Sequence, residues 1–239
     1  MLRGVSRRWW RPASLVVVVM LAPSVLGSAP AHAGSPLVFQ PGSHPFGASY
    51  AEWTVRWWQW ADSIPAGASP ILDTTGVNCA ILQVGPVWFL AGTGGASATR
   101  DCTIPSGRAI LFPIVNINND FPCPDPGFKP APGQTLKAFL TDGAQAFING
   151  VDILEVELDG QSLTNLGDFR VTSDLFQFTG AIDIQPVLDS CITGSPQLGV
   201  SDGYWIMLRP LKRGLHTLHF RGGITGIFTT EVTYNLTID

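Results

Sequence analysis

Oxygen-bearing side chains recur at alternate positions in one short segment of the chain. Asn116, Asn118 and Asp120 are spaced like the ligands of a calcium loop, and carboxylate and amide oxygens are the ligands that Ca²⁺ prefers. The glycine and the closing glutamate of an EF-hand are missing, because Phe121 and Gly127 occupy those positions. We therefore predict a calcium site outside the EF-hand class; the alternative is an Asx-rich turn at the end of a strand.

A second group of candidate binding residues surrounds one tryptophan of a helix predicted over 49–63. Trp58 falls outside the apolar stripe of that helix, and Arg56 and Gln59 are polar neighbours. An indole ring beside polar side chains can stack on a sugar ring or anchor a protein interface. We predict a ligand-binding surface from these three residues and Asn119, unless Trp58 packs beneath a loop.

Carboxylates on separate elements define the alternative, a hydrolase that acts on a polysaccharide by acid/base chemistry. Glu52, Asp62 and Asp120 are the candidates. Such an enzyme needs a concave site where at least two titratable groups converge, whereas a binding module needs exposed aromatic side chains without that convergence. We favour a non-catalytic binding or surface protein for a polysaccharide, an envelope component or a protein partner, and leave enzymatic activity open.

The letters of the hydrolase nucleophile elbow occur at Gly199–Gly203, with Ser201 at the centre. That motif requires a strand before the serine and a helix after it. Here the apolar run Tyr204–Leu208 follows, which is typical of a strand. We therefore expect a polar turn at 199–203 and no nucleophile.

Four cysteines, Cys79, Cys102, Cys123 and Cys191, lie beyond the N-terminal leader. An even number in an exported chain indicates two disulfides. Three pairings are possible, and we favour Cys79–Cys102 with Cys123–Cys191 because this pairing avoids crossed loops. A zinc site is the weaker alternative, since no Cys-x-x-Cys occurs.

The N-terminal 33 residues have the pattern of an export signal. An arginine-rich head precedes the apolar run Leu15–Leu21, and Ala31–Ala33 has the small-x-small pattern of a cleavage site. The run is shorter than the roughly 18–20 residues that span a bilayer, so we predict no integral membrane span. We expect a secreted or periplasmic protein cleaved near Ala33, exported by the general or, through Arg7 and Arg8, the twin-arginine route; the alternative is an amphipathic, membrane-bound N-terminus.

Composition limits the partners and the fold class. The net charge is −4, and the predicted leader contains arginines but no acidic residue. An acidic chain has no electrostatic attraction for nucleic acid, so we predict no such partner. Only 13% of the residues are charged, while 26 glycines and 19 prolines interrupt the chain. This composition favours short strands with tight turns.

Two helices are predicted, each with an identifiable start. Ser49 and Glu52 have the spacing of a capping box, and the helix over 49–63 stops before Pro65. A second helix is predicted from Thr135 to about Asn149.

Alternating and continuous apolar patterns predict the strands. Runs within 79–91 and 108–115 indicate strands, and 116–133 is expected to be irregular. Asp159-Gly160 indicates a hairpin turn, and 228–238 alternates apolar and polar residues throughout. We predict a mainly β protein: an antiparallel β-sandwich, immunoglobulin-like or jelly-roll-like, with one or two helices packed on it, in a single domain over 34–239.

Two resemblances accompany these patterns. Val156–Gly160 and Pro210–Thr217 resemble strand segments of bacterial extracellular immunoglobulin-like modules, with 169–199 as a long insertion. The tryptophan-rich helix followed by Val87–Gly92 resembles uncharacterised secreted bacterial proteins. The first resemblance implies a sandwich of uncertain strand order, and neither implies an activity.

Overall fold

The computed structural model describes residues 37–239, and the predicted signal peptide lies outside them. The described residues form two α-helices, α1 (Tyr50–Ser63) and α2 (Leu136–Ile148). Their strands are β1 (Val87–Phe89), β2 (Ser97–Ile104), β3 (Ala109–Phe121), β4 (Ile153–Leu158), β5 (Gln161–Ser162), β6 (Arg170–Thr172), β7 (Phe176–Phe178), β8 (Gln197–Leu208), β9 (Gly214–Ile224) and β10 (Phe228–Ile238).

The strands form two sheets that pack face to face. The first sheet has the order β1-β3-β8-β6, and β7 also pairs with β8; the second has the order β2-β10-β9-β4-β5. Pairing is antiparallel except between β1 and β3 and between β2 and β10, which are parallel. The predicted mainly β sandwich with two helices is confirmed, and the two parallel pairs are an addition that the sequence did not reveal.

Strand β8 lies inside the first sheet and is buried on both faces. Ile206 and Leu208 pack in the core between the sheets, while Trp205 and Met207 pack against α1 on the outer face. Successive side chains of a strand point to opposite faces, so a strand covered on both sides needs apolar residues at every position. This explains the continuous apolar run.

Helix α1 is fixed at its start and along its buried face. The Ser49 hydroxyl accepts the Glu52 amide, and the Glu52 carboxylate accepts the Ser49 amide, which confirms the capping box. Three indole N–H groups donate to backbone carbonyls at 2.9 Å: Trp53 to Pro45, Trp57 to Leu90 and Trp60 to Ile81. These bonds fix the helix against the segment before it, at Pro45, and against the segments on either side of β1, at Ile81 and Leu90.

One predicted strand is a turn. The run 79–83 folds back on itself instead of pairing, because the Gln83 amide bonds the Cys79 carbonyl and both backbone groups of Phe89. The disulfide from Cys79 to Cys102 holds this turn against β2.

Two polar segments expected outside regular structure are strands. β3 continues through 116–121, where irregular chain was predicted, and 199–203 lies within β8 rather than in a turn. The two segments pair with each other, with Asn118 opposite Ser201 and Asp120 opposite Gly199. Their polar side chains obscured the strand pattern because those of 116–120 line an internal cavity, while Ser201 accepts from Trp58 and Asp202 pairs with Arg170.

The favoured disulfide pairing is confirmed. Cys79 bonds Cys102 and Cys123 bonds Cys191, and the described residues contain no free cysteine. Such bonds are typical of proteins from oxidising compartments. Within residues 37–239, no helix has the length and apolar character needed to cross a bilayer.

A histidine on β9 should give the fold a small pH dependence. Burial opposes its charge, but hydrogen bonds to Asp159 and to the Lys212 carbonyl raise the pKa of His216 above its ordinary value. A raised pKa stabilises the fold fully below about pH 6.5, and the contribution disappears as pH rises through the folded-state pKa. We expect His216→Asn to lower the free energy of unfolding by less than about 1 kcal/mol at pH 5.5. Urea unfolding at pH 5.5 and 9 checks this; a difference that grows with pH would contradict it.

Candidate functional site

The candidate site lies along the part of β3 that has a neighbouring strand on one side. β1 pairs only with residues 109–111, whereas β8 pairs with β3 as far as Phe121. Beyond β1, the segment Asn116–Asp120 borders a cavity of about 410 Å³. This volume lies in the range of about 300–1,000 Å³ that is typical of small-molecule sites.

Three carboxyl groups from three different elements line this cavity: Asp62 of α1, Asp120 of β3 and Asp189 of the segment between β7 and β8. One carboxyl oxygen of Asp120 and one of Asp189 lie within 4.8 Å of each other. The Gln197 side chain donates to Asp120 at 2.6 Å and fixes its position. The Cys123–Cys191 disulfide joins the two segments that carry the pair.

The surroundings make two of these groups hold their protons. Burial, followed by the charges of Asp189 and Asp120, raises the pKa of Asp62 well above its ordinary value. Burial, followed by the charge and the hydrogen bond of Asp189, raises the pKa of Asp120 to about 8. Like charges this close cannot both ionise freely, so Asp120 holds its proton at neutral pH. The site can therefore donate as well as accept hydrogen bonds.

Amide side chains complete the polar part of the cavity. Asn118 is only 7% exposed; its Nδ2 lies 3.5 Å from Asp62 Oδ2, and its Oδ1 has no partner among the described residues. Asn116 likewise has an Nδ2 atom without a described partner. Asn119 lines the cavity but donates to the Leu140 carbonyl of α2 at 2.9 Å. Two of the three amides therefore retain hydrogen-bonding capacity for a ligand.

The residues predicted to bind calcium reach the cavity from a strand rather than from a loop. Asn116, Asn118 and Asp120 stand at alternate positions of β3 and share a face. The sulfur of Cys191 lies near the two acidic side chains, but it belongs to a disulfide and is not a thiolate donor. Oxygen donors remain, which suits Ca²⁺ chemically, and the calcium site stays a prediction.

Aromatic rings form the apolar walls. Trp58 is half-buried, donates its indole N–H to the Ser201 hydroxyl at 2.9 Å and packs edge-on against Trp57. Phe147 of α2 and Phe228 of β10 contact each other at 6.0 Å between ring centroids. Phe128 contributes a further half-buried ring. The cavity therefore combines flat apolar faces with groups that can bond hydroxyls.

The structure separates the predicted binding residues. Trp58 and Asn119 line the cavity, but Arg56 stacks on Trp53 at 4.3 Å and Gln59 donates to the Gln177 carbonyl. Each residue of an α-helix is rotated by 100° from the last, so positions 56 and 59 lie on other sides of the helix from position 58. Arg56 and Gln59 therefore do not line this cavity, and their part in ligand binding stays a prediction.

Position 62 projects from nearly the same side of α1 as Trp58, and Asp62 does join the site. Of the predicted acid/base candidates, Glu52 does not, because it caps α1.

Asp189 and Gln197 are site residues that the sequence analysis missed. Neither belongs to a motif, and both lie far from Asp120 in the sequence. One signal was available: Asp120 lies three residues before Cys123, and Asp189 lies two before Cys191. The favoured disulfide therefore implied that the two carboxyl groups are close.

Comparisons with known proteins add little. No protein-family model matches the chain, and no curated protein matches it. Among solved structures, it is similar to the crystal structure of the cysteine protease inhibitor EhICP2 from Entamoeba histolytica, with 13% identity over 64% of this chain and 96% of that chain. The TM-score is 0.25, which is too low to indicate a shared fold.

Proposed function

We propose that the protein is an exported binding protein whose cavity takes a small hydroxylated ligand, such as one sugar residue of an envelope polysaccharide. The observation that carries this proposal is the convergence of half-buried rings with paired carboxyls and free amide groups in one cavity of about 410 Å³. Rings stack on the apolar faces of sugars, while carboxyl and amide groups bond their hydroxyls.

The charge of the cavity narrows the ligand class. Among the described residues, its lining contains no lysine, arginine or histidine. Phosphate and carboxylate groups are bound by such cationic side chains, and the carboxyls here would repel them. A neutral or cationic ligand fits, and an anionic one does not.

Export is the setting we propose for this activity. The two disulfides support an oxidising compartment, and the arginine-rich, then apolar, leader supports secretion or a periplasmic location.

Removing a ring from the cavity should weaken binding to insoluble polysaccharide or cell-wall material by about tenfold, or about 1.4 kcal/mol. Phe128→Ala is the first variant, because this ring lies on a loop rather than in the core; Trp58→Ala is the second. Phe46→Ala, an exposed ring outside the cavity, is the matched control. Depletion of protein from the supernatant measures binding. Equal depletion by all variants would exclude the cavity as the site.

A hydrolase is the second candidate, because a protonated carboxyl beside a second carboxyl can supply an acid and a base. Glycosidase carboxyls stand about 5–5.5 Å or 6.5–9.5 Å apart. One oxygen of Asp120 and one of Asp189 lie within 4.8 Å of each other, which is compatible with the shorter of these separations. New reducing ends in the same supernatant, abolished by Asp120→Asn, would establish the hydrolase.

A further inference from the structure

We propose that the cavity selects ligands that carry an ammonium group, and that its ligand is an unacetylated amino sugar residue. This inference rests on the proposed function, since it specifies which saccharide the same site takes. It stands on three features of the cavity: the sign of its charge, the arrangement of its rings and a buried amide oxygen without a partner.

The ionisable side chains in the described lining of the cavity are all acidic. Asp62, Asp120 and Asp189 enter from three elements, and the described lining contains no basic side chain. The charged groups on the neighbouring helix α2 are already engaged, because Lys137 pairs with Asp174 and Asp142 accepts from Gln134. A ligand cation would therefore be the neutralising partner of the carboxyl pair.

Arg170, a further cation held near α2, is also occupied. Arg170 forms an ion pair with the fully buried Asp202 at 2.6 Å and donates to Asn149 of the α2 C-cap. Neither Arg170 nor Asp202 lines the cavity. The carboxyl groups of the cavity are therefore separate from the Arg170–Asp202 ion pair, and Arg170 does not neutralise them.

Aromatic rings line the cavity together with the carboxyl groups. Trp58, Phe128, Phe147 and Phe228 reach the cavity from four separate segments, and all four are half-buried. The faces of aromatic rings attract cations, and cages of such rings are the usual sites for organic ammonium groups. A carboxyl pair beside these rings adds full charge to that attraction.

Asn118 provides an independent indication of a ligand. The residue is more than nine-tenths buried and lines the cavity, yet no described group donates to its Oδ1. Buried polar atoms in native proteins are satisfied by protein, water or ligand. An ammonium group has three donors and no acceptor, which suits a lining of carboxyl and amide oxygens.

The test compares three tetrasaccharides that differ only at C2: glucosamine, N-acetylglucosamine and glucose tetramers. Calorimetric titration is made at pH 6.0, with EDTA present to exclude calcium. We expect the glucosamine tetramer to bind at least tenfold more tightly than the other two. Asp189→Asn should remove that preference, and Asp168→Asn, which removes an exposed charge outside the cavity, should keep it.

The remaining outcomes separate the two proposals. Equal binding of all three tetramers, weakened by Phe128→Ala, would overturn the ammonium preference and leave the saccharide site intact. If none of the three tetramers binds, both the ammonium preference and the proposed saccharide site are overturned. A preference that Asp168→Asn abolishes as readily as Asp189→Asn, or that disappears in 0.5 M NaCl, would reflect surface charge and would also overturn the inference.

Discussion

The free energy of unfolding should fall by about 3–5 kcal/mol as pH rises from 4 to 8, opposite to the acid sensitivity of most proteins. The cause is the carboxyl pair, because burial and the Asp189 charge raise the pKa of Asp120 from 3.8 to about 8. A carboxyl whose pKa is higher in the folded chain binds its proton more tightly there, so each pH unit between the two values reduces stability. Burial acts on Asp62 in the same direction.

Other carboxylates do not cancel this effect. Hydrogen bonds from backbone amides outweigh partial burial and lower the pKa of Asp73, and Lys137 lowers that of Asp174. Groups of this kind stabilise the fold above the unfolded pKa of about 4 and lose their contribution only below it. Maximum stability is therefore expected near pH 4–5.

Asp120→Asn should flatten the pH profile. Asparagine reproduces the protonated carboxyl in shape and hydrogen bonding, so the variant should match the parent near pH 4 and exceed its stability by about 3 kcal/mol at pH 8. Urea unfolding in EDTA at four pH values measures this, with Asp168→Asn as control. Parallel profiles for Asp120→Asn and the parent would show that Asp120 does not carry the raised pKa. If Asp120→Asn is more stable than the parent but no longer binds the ligand, Asp120 serves function at the expense of stability, as active-site and binding-site groups often do.

Arg100→Met should be the most damaging single substitution in the second sheet, with a loss of about 3–5 kcal/mol. Arg100 is 1% exposed, and its guanidinium has no carboxylate partner within residues 37–239. It donates to the backbone carbonyls of Ile71, Asp73, Ala91 and Gly92 and to the Tyr234 hydroxyl. Methionine occupies the space of the aliphatic part of the arginine side chain, but it leaves the buried carbonyls without hydrogen-bond donors. Each such unpaired group costs about 1–3 kcal/mol.

This substitution should also disturb the cavity, because Ile71 and Gly92 are part of its lining. Urea midpoints give the stability change. Tyr234→Phe is the matched control: it removes one partner of the network, so a loss near 1 kcal/mol is expected. A loss below about 1 kcal/mol for Arg100→Met would mean that water replaces the guanidinium, and that these loops are not held by it.

Local patterns in the sequence were sufficient for the scaffold. The capping box of α1, the hairpin at Asp159-Gly160 and the alternation of 228–238 each depend on near neighbours, and each is confirmed. The parallel pair of β2 with β10 was not predictable in the same way, since it joins strands more than a hundred residues apart and no local rule specifies such a partner.

The site was predicted only in part for a related reason. Trp58, Asp62 and Asn116–Asp120 were identified by residue type, but their convergence depends on β3 continuing as a strand past Val115. Polar residues in the middle of a buried strand resemble a loop in the sequence, because sequence patterns treat polar side chains as exposed to water. Here these side chains line a cavity that forms only when distant segments pack together.

The most direct test of this account is a two-dimensional ¹H–¹⁵N NMR titration of residues 34–239 with the glucosamine tetramer. The indole N–H of Trp58 and the amides of Asn118, Asp120 and Asp189 should shift together with one affinity. The indole N–H groups of Trp88 and Trp205, buried outside the cavity, should not move. Shifts confined to the face of α1 that carries Arg56 and Gln59, or no shifts at millimolar ligand, would contradict the assignment of the cavity as the binding site.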